Sequence, residues 1–172
     1  MDTDPAREVI EAVGAALKVA FPVTGEHQPE GGGSDLVRFM AGDTLPLAAW
    51  NAHTAGGCGD PLLWVRLMRR YRSKDFPAPS IEASSCGRPV ALAIEVGVAR
   101  CAVMDPEPHW DDYQREAIVS LDDSWRIEMA LCHAAGCLKR DKNLNASTDT
   151  IVPFGPEGGV IAWSGVLYVH LI

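Results

Sequence analysis

Val9, Ile10, Val13, Ala16, Leu17 and Ala20 recur at the three-to-four-residue spacing of one helical face. Asp4 stands where a cap accepts backbone N–H groups, and Pro5 suits the first helical position, where its missing N–H costs nothing. Phe21-Pro22 closes the helix. The period then becomes two. In "LLWVRLMRRYRS" alternation puts Leu63, Val65, Leu67 and Tyr71 on one side, with Arg69 among them, and Trp64, Arg66, Met68, Arg70 and Arg72 on the other. "PVALAIEVGVARCAV" alternates more cleanly, with Val90, Leu92, Ile94, Val96 and Val98 opposed to Ala91, Ala93, Glu95, Gly97, Ala99 and Cys101. The bulky side should pack on a helix, and the small side admits close approach by another layer. These two strands predict a long antiparallel pair that brings Glu95 to the arginine row.

Helical spacing returns after "MDPEPHWDDYQ". Trp110, Tyr113, Ala117, Ile118, Leu121, Trp125, Met129 and Cys132 form an apolar stripe, with Gly136 as a stop signal. A strand, a Gly/Pro turn and a second strand close the chain, the last with Ile161, Trp163, Leu167, Val169 and Leu171 on one side. The fold class expected is therefore α+β: a mainly antiparallel sheet with two helices packed on one face, in the order α–β–β–α–β–β. The 172 residues make one domain, broken by a long loop insertion over about 23–60. Within that insertion "LVRFMAGDTLPLAAW" can supply a short strand.

Charge narrows the function classes. With 15 basic and 23 acidic residues the chain carries a net charge of −8, which gives a nucleic-acid partner no support. No apolar run reaches the ~18–20 residues of a membrane span, and the N-terminus is built unlike a secretory signal. Five cysteines, an odd number without a C-x-x-C, predict reduced thiols in a cytoplasmic setting. "CHAAGC" does not have a zinc spacing, and Cys58 in "GGCGDP" reads as a loop cysteine.

Candidate chemistry is sparse. There is no phosphate-binding loop, dinucleotide fingerprint, nucleophile elbow or H-E-x-x-H motif. "EGGGSD" reads as a flexible loop, and His27, His53, His133 and His170 have no partner at informative spacing. Asp105, Glu107, Asp111 and Asp112, with His109 among them, could hold a divalent cation for a metal-dependent enzyme. Acids at a helix start are also ordinary capping and dipole chemistry, and that reading is preferred. Asp122-Asp123 reads as a solvated mid-helix face. No catalytic residue, cofactor or metal site is assigned. The arginine stripe remains, and Arg66, Arg70 and Arg72 meeting Glu95 or a neighbour's acids predict a solvent or subunit face, arginine's planar fork being favoured at a subunit interface.

Taken in order, "WVRLMRRYRS" followed by "FPAP", "AIEVGVARCAVMDP" and "VPFGPEGGVIAWSGVLYVHL" resemble the tail terminator and neck proteins of long-tailed phages of actinobacteria. The resemblance spans roughly 60–172 plus the first helix, and the 23–60 insertion departs from it. It implies a non-enzymatic virion protein at the tail–neck junction, assembled in the host bacterial cytoplasm. Such a protein forms a ring, commonly a hexamer, that caps the tail tube and ends its polymerisation. Its partners would be copies of itself, the major tail tube protein and the head-side connector or stopper, with genome DNA passing the lumen unbound. A head-completion or stopper protein of the same particle is the alternative within that class.

Overall fold

A computed structural model describes residues 4–81, 86–107 and 109–171. It is an α+β fold with three helices and a six-stranded mixed sheet. In chain order these are α1 (Pro5–Ala20), β1 (Val37–Met40), α2 (Leu47–Thr54), β2 (Leu62–Arg72), β3 (Val90–Cys101), α3 (Trp110–Lys142), β4 (Asn145–Thr148), β5 (Val152–Glu157) and β6 (Val160–Leu171). The strands run β1-β2-β3-β6-β4, with β5 also pairing β6. All pairs are antiparallel except β1–β2.

The expected order gains three elements. The insertion carries β1 and α2, and the C-terminal region carries three strands. Between the two long strands "SSCGRP" reads as a turn, and it lies partly outside the described residues. α1 forms as its pattern predicts: Asp4 accepts from the Ala6 N–H, and Val9, Val13, Ala16, Leu17 and Ala20 are buried. The bulky side of β3 and the predicted side of β6 meet α1 and α3 in the main core, centred on Leu92, Ile94, Val96, Ile127, Leu131 and Leu167. We call this the helix face.

The small-residue side of β3 is also covered. Trp64 of β2 packs against Gly97, so closely that a Cβ there would run into the indole. Trp50 of α2 joins Trp64, Leu62, Ala99 and Ala162 in a second, smaller core. The insertion is thus a layer that uses the small residues of β3 as a seat. It is held by Cys58, which forms a disulfide with Cys101 at the end of β3. This corrects the expectation of five reduced thiols; Cys86, Cys132 and Cys137 are free.

α3 departs most from its prediction. Gly136 does not end it. The helix runs on to Lys142, where Asn143 in the left-handed conformation (φ 53°) makes the stop. Its buried face consists of Asp123, Arg126, Ile127, Ala130, Leu131, Ala134 and Leu138. The predicted stripe points the opposite way.

Candidate interaction surfaces

The arginines of β2 do not share a face. Register slips by one residue between Leu67 and Arg69, leaving Met68 without a partner on β3. Such a bulge reverses the alternation beyond it. Arg66 lies opposite Glu95 on the second face, whereas Arg70 and Arg72 lie opposite Leu92 and Val90 on the helix face. Arg69 and Tyr71 take the second face, with the Arg69 guanidinium 4.6 Å from the Tyr71 ring centre.

Each predicted arginine has a partner within the chain. Arg66, 6% exposed, binds Glu95 at 2.7 and 2.9 Å, and Trp64 Nε1 donates to the same carboxylate oxygen at 3.1 Å. Arg70 pairs with Asp4 at the start of α1. That guanidinium, helped by the Ala6 N–H, holds the Asp4 carboxyl below its usual value of 3.8. Arg72 donates to the Arg88 carbonyl at 2.6 Å. The arginine and glutamate side chains expected at a subunit boundary therefore tie β2 to its own neighbours.

A second arginine system went unseen in the sequence. Arg100 binds Asp123 with two bonds of 2.6 and 2.8 Å, and also donates to the carbonyls of Gly31 and Gly32. Arg126 binds Asp122 at 2.7 Å and donates to the carbonyls of Ala20 and Gln28. Together they strap the 22–34 loop between β3 and α3. Asp122-Asp123 is thus not a solvated face: Asp123 is 4% exposed, and burial pushes its carboxyl up, against the Arg100 guanidinium that lowers it.

The acidic cluster is used for backbone capping. Asp112 accepts from the His109 N–H, Asp105 from the Glu107 N–H, and Glu116 from the Val103 N–H. Among the described residues, no group of three or more His, Cys, Asp or Glu side chains is placed to hold a metal ion. Beside this cluster a cavity of about 450 Å³ is floored by the Arg100–Asp123 pair and Trp163. A second cavity, about 380 Å³, lies between Trp50, Trp64 and Phe154, with the Arg66–Glu95 pair in its wall. Asp105, Asp112 and Glu116 also line the first cavity and Asp43 and Glu157 the second, so acids outnumber arginines in both. No described helix is long and apolar enough to cross a membrane.

Besides single residues such as Leu47, Ile81 and Met104, exposed apolar residues gather in three groups. On α3, Trp110 (86%), Leu121 (71%) and Trp125 (55%) lie in line with Tyr113, Ile118 and Met129. On the β1 flank stand Leu36 and Phe39 (64%). On the β5 flank stand Val152 and Phe154 (58%). Single exposed apolar residues are ordinary, but contiguous patches mark binding surfaces. The α3 stripe was legible as a pattern; its direction was not. No family model matches the chain, and no curated protein matches it.

Proposed function

We propose that the chain is a structural subunit that closes into a ring, the role its likeness to phage tail terminators implies. In that reading the ring, of six copies, caps a tail tube, ends its growth and joins it to the head-side connector. The observation that carries this is the pair of apolar flanks on opposite sides of one sheet. β1 and β5 lie level across β2, β3 and β6, Phe39 at one end and Phe154 at the other. Two different surfaces meeting head to tail are what a cyclic ring of identical subunits requires. Pro153 and Pro156 in β5 lack N–H donors. That edge therefore makes a poor template for another strand, and side chains would form the contact. The disulfide suits a protein that serves in a released particle. A net charge of −8 suits a lumen that DNA must pass without sticking.

The test is the solution mass and negative-stain image of the purified chain, with Phe39→Asp and Phe154→Asp. Each variant alone should be unable to close a ring. Mixed one to one, they should join once, through the two intact flanks, into a species that cannot close. A wild-type protein that never forms rings, or variants that form them normally, would overturn the reading.

A further inference from the structure

α3 has two apolar faces. One is buried on the sheet through Ile127, Leu131 and Leu138, and the other runs bare through Trp110, Ile118, Leu121, Trp125 and Met129. A helix apolar on both sides belongs between two layers, and the described residues supply only one. Six side chains make up the bare stripe, two tryptophans and a tyrosine among them. Aromatic side chains bury roughly 150–250 Å² each, so the stripe supplies much of the ~800 Å² per partner of a stable interface.

The charges along α3 choose the occupant. Asp111 and Asp112 open the helix; Lys139, Arg140 and Lys142 close it. This order offsets the helix's own dipole. It also means that a parallel neighbour would set acid against acid and base against base. An antiparallel copy sets unlike charges together. Trp125 stands within one residue of the midpoint of the 33-residue helix.

We infer that α3 is a twofold seam: two copies of this chain pack their α3 helices antiparallel along the bare stripe, with the axis passing near Trp125. Register about that axis brings Leu121 to Met129 of the other copy and Ile118 to its Cys132. Asp111 meets Lys139, and the Trp110 ring meets the Arg140 guanidinium, a pair that attracts through the ring's quadrupole. Contacts of this kind are self-complementary, the same patch on both partners. The seam does not depend on the ring reading. If both hold, the seam joins copies that belong to two different rings.

Cysteine cross-linking in solution tests it. In a Cys86→Ser background, Ile118→Cys should form a covalent dimer with the native Cys132 when oxidised by diamide. The same background without Ile118→Cys should stay uncross-linked, because the seam separates the two Cys132 residues by about 14 residues of helix, roughly 21 Å. Leu121→Asp, at an exposed position, should weaken association roughly a hundredfold, the size of a hot-spot loss, with an unchanged melting curve confirming the fold. Phe39→Asp should leave the seam dimer intact, so loss of the ring and loss of the seam are read separately. A Phe39→Asp chain that stays free of twofold dimers at micromolar concentration, or a ready Cys132–Cys132 cross-link, would overturn the seam.

Discussion

Met68 stands opposite no residue of β3, and each side chain after it takes the face that simple alternation denies it. Arg66, before the bulge, stays on Glu95, whereas Arg70 beyond it goes to Asp4, so arginines of one pattern serve different layers. Arg66→Ala leaves the Glu95 carboxylate buried without its cation and should cost about 3–5 kcal/mol in chemical denaturation. Adding Glu95→Gln should recover much of that loss, since the amide removes the charge and still accepts from Trp64. Asp4 acts on the pH profile. Its folded pKa is lowered by Arg70 and the Ala6 N–H, so its contribution is present above 3.8 and is lost as pH falls through the folded value. Glu8, lowered by Lys142, runs the same way from 4.5. Asp123, raised by burial, has the opposite sign. Between about pH 5 and pH 2.5 the melting temperature of Asp4→Asn should therefore fall less steeply than that of the parent chain.

At the scale of elements, α1, β3 and β6 are legible because their patterns are local and one-sided. α3 is not, because it carries two apolar stripes and periodicity cannot rank them. The wider-spaced aromatic stripe looks like core, yet Ile127, Ala130, Leu131 and Ala134 are small and smooth enough to lie close against the sheet. Gly136 illustrates the same limit. As a stop signal it is plausible; in the structure it is an exposed mid-helix residue with open space where a Cβ would stand. Gly136→Ala should therefore stabilise the fold by about 1 kcal/mol, seen as a raised denaturation midpoint with an unchanged slope. Substituting Gly97 should have the opposite effect. Its absent Cβ is the seat of the Trp64 ring, and Gly97→Ala should destabilise by about 1–3 kcal/mol in the same measurement.

For the whole molecule, the insertion is the part that composition describes worst. Glycine-rich turns announce a loop, but Arg100 and Arg126 strap its 22–34 part between β3 and α3, and the Cys58–Cys101 bond holds its later part as a layer over the second face. The disulfide closes a segment with a sequence separation of 43. Chain-entropy reasoning for a loop of that size gives roughly 4 kcal/mol. The paired Cys58→Ser and Cys101→Ser replacement should lower unfolding free energy by about that amount. If the loss falls on the insertion alone, hydrogen exchange should rise over α2 while α1 and the helix face keep their protection.

Read alone, the chain determined what depends on neighbours a few positions away: the capped first helix, the opposed bulky and small sides of β3, the core side of β6 and the α+β class. Side-chain period and capping chemistry are local, so they survive in one dimension. Only the tertiary structure decided the bulge at Met68, the pairing of Arg100 with Asp123, the disulfide, and which stripe of α3 meets the sheet. Each of these is a choice between alternatives of similar local energy. It is settled by contacts across dozens of residues, where burial, ion pairing and close packing act together.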